Sequence, residues 1–308
     1  MGDVICALPA VASLKHGIAG SIVTWAVESK WAPLLEGNAY IDRVIALDRG
    51  SLGGLRNAWS ALRGQRFDMA VDFQGLIKSA LVAASARPER ILGFHRSRER
   101  MAAWFYSTRV RPKSAHEVDK NLELAEAAGV SSLLRQFPLP LGVAEGRLPE
   151  QPFVLACPLA GWGSKQWPLE FYTRLGAMLR DEFDMKLVLN GAEEVHVEGT
   201  FSHVSKLPGL IDATRRAAAV VGLDSGPMHL AAALGKPGVA IYGPSDPART
   251  GPYGRTVTVL RAPHAATTYE RSAEVSADMR AITPEMVMDS LRPQLVACAA
   301  RAGAPGQP

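Results

Sequence analysis

Short apolar runs alternate with longer helix-like segments along this chain, and that rhythm constrains the fold more than any other feature. Strands spaced in this way are joined by helical crossovers, which produces parallel sheets with helices packed on their faces. In the first half, residues 21–27, 43–47 and 69–73 read as strands, with helices predicted over 4–15, 52–63 and 76–86. A further helix over 116–128 stops at Gly129, a residue suited to a left-handed C-terminal cap. The rhythm breaks at residues 137–152, "FPLPLGVAEGRLPEQP", where four prolines and two glycines leave no helical period. It resumes with strands at 153–157, 186–190, 219–223, 238–242 and 256–260, and helices at 169–180 and 228–234. With 308 residues available, two αβα domains are expected: residues 1–140, a linker over 141–152, and residues 153–308. Ligands of open parallel sheets bind beyond the carboxyl ends of the strands, so the loops there are where function is sought.

Charge narrows the choice of partner. Residues 1–140 hold 18 Lys and Arg against 13 Asp and Glu, while the rest of the chain holds 16 against 17. Much of the excess lies between 87 and 113, where Arg87, Arg90, Arg96, Arg98, Arg100, Arg109, Arg111 and Lys113 face only Glu89 and Glu99. An anionic partner is expected there, unless the stretch is simply a solvated basic face. It carries no nucleic-acid fold motif, so nucleic acid is not the expected partner. Cys6, Cys157 and Cys298 are far apart and lack metal spacing, which points to a reducing cytoplasm and no zinc site. No run of 18 apolar residues and no signal-peptide pattern occurs, so a soluble, unexported protein is expected.

Five stretches offer chemistry. In "VVGLDSGPMHLAAALGKPGVAIYGPSDPARTGPYG" (220–254), a strand runs into a turn and then a small-residue helix. Free backbone N–H groups at such a helix start form an anion site, with Ser225 and Gly226 allowing close approach and His229 in the first turn able to donate. The alternative is that Asp224 or Ser225 merely caps the helix and His229 merely packs. In "PLAGWGSKQWP" (158–168), Ser164 and Lys165 offer a hydroxyl and a cation beside the same edge, or else form an ordinary loop. Past the next strand, Glu193 or Glu194 suits ribose hydroxyls, or a first helical turn. In the first half, "MGDVICALPAV" puts Asp3 directly before a helix, as an N-cap or as a general base. "VDFQGLIKSAL" (71–81) places Asp72, Gln74, Lys78 and Ser79 around a strand end, polar groups suited to sugar hydroxyls.

Taken together, "GDV…LPAV", "DFQGLIKSA", "SKQWP" and the long 220–254 motif closely resemble glycosyltransferase family 9, the ADP-heptose lipopolysaccharide heptosyltransferases. The likeness runs along nearly the whole chain. The "GDV" and "QGLIKSA" forms, with "SRERMAAWFY", look more like the heptosyltransferase I branch than the heptosyltransferase II branch. The resemblance implies a GT-B fold, two Rossmann-like αβα domains facing across a cleft, with the acceptor mainly on the first and the nucleotide sugar mainly on the second. It implies an inverting transferase without cofactor or essential metal, in keeping with the lack of an Asp-x-Asp motif. It makes Asp3 the general base and Lys165 the catalytic lysine at the donor phosphates. Ser164, Lys165, Glu193 or Glu194, Asp224, Ser225, Gly226, Pro227, Met228 and His229 would bind ADP-heptose. Gln74, Lys78, Arg96, Arg98 and Arg100 would meet the acceptor, Kdo-lipid A, at the inner face of the cytoplasmic membrane. The rivals are a GT-B enzyme using another nucleotide sugar or acceptor, and a nucleotide-sugar binding protein without catalysis. Family members carry an apolar first strand before the Gly-Asp, and Met1 stands where that strand should end. Either a start assigned at an internal methionine or a truncated chain is therefore expected.

Overall fold

The computed structural model describes residues 1–48, 50–158, 161–268 and 272–302, and the chain divides between Pro140 and Leu141 into two compact units. In the first, helix α1 (Gly2–Gly17) is buried at every position from 5 to 14, because its residues there are small or apolar on all sides. Pro9 lies inside this helix, and the Ser13 hydroxyl donates back to the Pro9 carbonyl at 2.7 Å. Strands β1 (Thr24–Glu28) and β2 (Arg43–Leu47) form one parallel pair. Strands β3 (Met69–Val71), β4 (Arg90–Phe94) and β5 (Thr108–Val110) form a second parallel sheet in that order. Helices α2 (Leu52–Arg63), α3 (Ile77–Ser85) and α4 (Glu117–Ala127) alternate with them, and 3-10 turns occupy Ser29–Leu35 and Arg100–Phe105. Gly129 takes the left-handed conformation at φ 110°, as its position after α4 predicts. The reading of the sequence missed β4 and β5, which lie within the basic stretch. Their exposed Arg90, Thr108 and Arg109 interrupt the apolar run that marks a strand.

The second unit is built on six parallel strands: β6 (Phe153–Ala156), β7 (Lys186–Gly191), β8 (Phe201–Val204), β9 (Ala219–Leu223), β10 (Gly238–Tyr242) and β11 (Val257–Arg261). Their order is β11-β10-β9-β6-β7-β8. Every residue of β6, β9 and β10 is buried, which explains their unbroken apolar sequences. The helices are α5 (Leu169–Phe183), α6 (Leu207–Arg216), α7 (Gly226–Ala233), α8 (Pro247–Thr250), α9 (Ala277–Arg280) and α10 (Pro284–Ala302), with a 3-10 turn at Gly163–Lys165. Trp167 is buried, donates its indole N–H to the Ile282 carbonyl at 2.7 Å and stands edge-on to Tyr172 at 4.9 Å. It pins the end of the loop that leaves β6. Residues 141–152 hold no helix or strand and are tied to this unit by Val143 N–H to the Pro208 carbonyl (3.1 Å) and Lys206 N–H to Glu145 Oε2 (2.7 Å). No helix among the described residues is long and apolar enough to cross a membrane.

Candidate functional site

From β6 the chain steps outward to β7 and β8, then returns to place β9 on the other side of β6. The loops leaving β6 and β9 therefore diverge, and the crevice opened at such a switch point is where doubly wound sheets take ligands. Both sequence-predicted donor loops start there. Lys165 from the β6 loop meets Asp224 from the β9 loop, Nζ to Oδ2 2.5 Å, with both side chains largely buried. The same ammonium sits 4.6 Å from the centroid of the Trp162 ring. An ammonium has three donors, so a carboxylate on one side and an aromatic face on another fix its direction without using it up.

Hydroxyls collect on the same edge. Ser164 Oγ, Ser225 Oγ and Ser245 Oγ are buried without a hydrogen-bond partner, in the loops after β6, β9 and β10, three adjacent strands. A buried hydroxyl left unpaired costs about 1–3 kcal/mol. Three on one sheet edge are what a polyanion would satisfy. Ser225 occupies the N-cap of α7, yet its side chain makes no cap bond, and Asp224 pairs with Lys165. The simple capping alternative thus fails for both. Gly226 and Pro227 open α7, and His229 is half-buried in its first turn. Met228 differs from the rest of this loop: its side chain is buried against Gly222 of β9, and its N–H donates to the Ser225 carbonyl at 3.2 Å. Glu193 and Glu194 are exposed after β7 in a loop that leads to β8, so neither lies in a helical first turn. Glu194 Oε2 stands 3.6 Å from His196 Nε2. Trp162 and Ser245 are additions to the sequence reading. Aromatic burial of the lysine had no local motif, and Ser245 lay unremarked inside "GPSDP".

In the first unit, Asp3 lies in the first turn of α1, whose N-cap is Met1, so it is not the cap. Its carboxylate takes two bonds from Arg98, Nη2 to Oδ1 2.7 Å and Nη1 to Oδ2 3.0 Å, and a third from Gln74 Nε2 at 3.3 Å. Burial pushes the Asp3 pKa up, but the Arg98 hydrogen bonds and charge, helped by Gln74, outweigh it and hold the carboxyl below its ordinary value. Asp72 organises this cluster from beneath. Its Oδ1 accepts the N–H groups of Gln74 (2.9 Å) and Gly75 (3.2 Å), and its Oδ2 accepts the hydroxyls of Ser79 (2.8 Å) and Tyr106 (2.7 Å). Burial and this carboxylate both raise the Tyr106 pKa, so the phenol stays a donor. Asp72 and Ser79 are consumed internally and do not present themselves to a sugar. Gly75 has φ 69°, and a Cβ there would lie 3.3 Å from the Arg98 nitrogen, so glycine lets the two loops meet. Lys78 pairs with Glu28 at 2.8 Å, while Arg96 and Arg100 are exposed. Of the five predicted acceptor residues, the structure gathers Gln74 and Arg98 on Asp3 and leaves the other three outside that cluster.

Known proteins resemble this chain along most of its length. Residues 55–279 match glycosyltransferase family 9 (heptosyltransferase). Lipopolysaccharide heptosyltransferase 1 of Escherichia coli K12 is 30% identical over 296 residues, covering 85% of this chain and 91% of that protein. Lipopolysaccharide heptosyltransferase 2 of the same strain is 27% identical over 299 residues, covering 85% of each. The solved structure of the E. coli ADP-heptose lipopolysaccharide heptosyltransferase II superposes with a TM-score of 0.77 at 25% identity, over 96% of each chain.

Proposed function

This chain belongs to glycosyltransferase family 9, with the GT-B fold, and from that premise we propose that it transfers heptose from ADP-heptose to the Kdo-lipid A inner core of lipopolysaccharide. The observation that carries the donor half is the Lys165 ammonium, held by Asp224 and Trp162 on the sheet edge where three buried hydroxyls lie without partners. A diphosphate supplies the acceptor oxygens that these groups lack. In this reading Lys165, the hydroxyls of Ser164, Ser225 and Ser245, and the start of α7 at Gly226 and Pro227 hold the ADP phosphates. His229 donates to a phosphate or to the sugar, and Glu193 or Glu194 takes the ribose. Met228 contributes by seating α7 against β9.

The acceptor half belongs to Asp3. As the acceptor hydroxyl oxygen bonds to the heptose anomeric carbon, the bond from that carbon to the diphosphate breaks and the hydroxyl proton passes to Asp3. ADP departs, and the anomeric configuration inverts. Charge growing on the leaving diphosphate is met by Lys165 and the α7 terminus, preorganised donors worth about 3 kcal/mol each when strong. Arg98 has two duties. While it clasps Asp3, it keeps the carboxylate ionised and a weak base. An anionic group of the acceptor that draws Arg98 to itself raises the proton affinity of Asp3 as the hydroxyl arrives. Gln74 holds the carboxylate in place, and Lys78, Arg96 and Arg100 add positive charge toward the acceptor. The enzyme works in the cytoplasm, peripheral to the inner face of the membrane where that acceptor resides.

Transfer assays with ADP-, UDP- and GDP-linked sugars test the reading. Heptose transfer from ADP-heptose to Kdo-lipid A is expected, with ADP bound in preference to GDP by calorimetry. Transfer from a UDP- or GDP-sugar alone would overturn the donor assignment.

A further inference from the structure

The 3-10 turn Arg100–Phe105, which connects β4 to β5, has two unlike faces. Ala102 and Ala103 are buried with Ala80 of α3 and Tyr106, and Phe105 packs against that cluster. Three residues per turn place positions 101 and 104 together on the opposite side. Met101 there is 50% exposed and Trp104 is 72% exposed. Helix α3 packs on this turn, its Ile77 N–H bonded to Glu99 Oε2 at 2.6 Å. Leu81, one helical turn beyond Ile77, is also 50% exposed. Single exposed apolar side chains are ordinary, but here a tryptophan, a methionine and a leucine stand exposed on two elements that pack together.

Its surroundings are cationic. Arg100 opens the turn, Arg96 precedes it, and Arg109, Arg111 and Lys113 follow in and after β5, all exposed. Glu89 pairs with Arg66 at 2.9 Å, which leaves these five cations facing one other acid in the stretch, Glu99, and it accepts the Ile77 amide. Tryptophan favours the headgroup level of a bilayer, and arginine favours anionic headgroups.

We propose that the Met101, Trp104 and Leu81 patch, rimmed by Arg96 and Arg100, docks the protein on an anionic lipid bilayer. The proposal deepens the assignment of a lipid-borne acceptor, because it names the surface that brings the enzyme to that lipid. Charge complementarity selects the occupant: an apolar wedge surrounded by arginines fits the boundary between acyl chains and phosphates. Neither a neutral bilayer nor a second copy of this basic surface supplies the matching anions.

The test is flotation of the full chain with vesicles of phosphatidylglycerol and phosphatidylethanolamine, and with vesicles of phosphatidylcholine alone. The parent is expected to float with the anionic vesicles only, and to be released by salt. The Met101→Ser/Trp104→Ser double variant should lose about tenfold or more of this partitioning. It should melt with the parent and keep its rate of transfer to a delipidated acceptor, which separates docking from catalysis. A parent that stays in solution, or a double variant that floats equally well, overturns the proposal. So does light scattering that finds a dimer which the double variant dissociates. Vesicle binding without heptose transfer would sink the catalytic reading and leave the docking surface standing.

Discussion

At the scale of single residues, the Asp3–Arg98 clasp makes the sharpest claim, because one contact sets both the charge and the strength of a base. In the proposed reaction Asp3 acts deprotonated, and Arg98 holds its pKa down. Replacing Arg98 by Gln should therefore raise that pKa and move the acidic limb of the kcat/KM profile to higher pH, as a profile from pH 4 to 9 will read. The same depressed pKa is a source of stability: present above the unfolded carboxyl pKa, and lost as pH falls through the folded value. The Gln variant should forfeit that contribution and melt with a weaker acid dependence. Asp3→Asn keeps the shape but accepts no proton, so turnover should fall about 100-fold or more with ADP-heptose affinity nearly unchanged. Unaltered turnover would leave Asp3 a structural partner of Arg98. In the second unit, Lys165→Ala should weaken donor use by about 1.5–3 kcal/mol, the scale of a charge-assisted hydrogen bond. Single-turnover rates at varied donor concentration give the number. Equal donor affinity in parent and variant would return Lys165 to an Asp224 tether.

Among elements, the 3-10 turn Gly163–Lys165 presents Ser164 and Lys165, and its position depends on a glycine. A Cβ on Gly163 would overlap the carbonyl of Ala273, and the next residue, Ser164, donates its N–H to the Ser272 carbonyl at 3.1 Å. Gly163→Ala must push the turn away from that segment. Stability should drop by about 1–3 kcal/mol, and ADP affinity should fall as Lys165 loses its aim. A variant that melts and binds like the parent would show that the turn is not braced there. The sequence made most of these elements readable where one physical signal dominated. The buried strands β6, β9 and β10 were unbroken apolar runs, and the loops after β6 and β9 were marked by glycine and proline. Strand β8 and helices α6 and α10 went unread because each mixes exposed polar residues with its core contacts. The pairing of Arg98 with Asp3 was equally hidden. Nothing local to either residue signals it, and it depends on Asp72 shaping a turn that brings two distant loops together. Ser245 needed burial without a partner to stand out, a property of the fold alone.

On the scale of the whole molecule, the two units divide the proposed chemistry, with the base on one and the diphosphate groups on the other. Lys165→Ala and Asp3→Asn should therefore affect different steps: the lysine change should alter ADP binding, and the aspartate change should not. Titration of both variants with ADP checks this, and a large affinity loss in Asp3→Asn would contradict it. The strand order of the second unit also governs how it is made. Strand β6 is the first of its sheet to leave the ribosome, and its Val154 must pair with Ala219 of β9, far downstream. Strands β7 and β8 emerge earlier and extend only one side of β6. During synthesis the other edge of β6, among the most apolar strands in the protein, waits open until β9 appears. Parallel pairings this distant close slowly, and an open apolar edge invites the wrong neighbour. The order that opens the crevice between β6 and β9 thus leaves an apolar edge uncovered while this unit is still being translated.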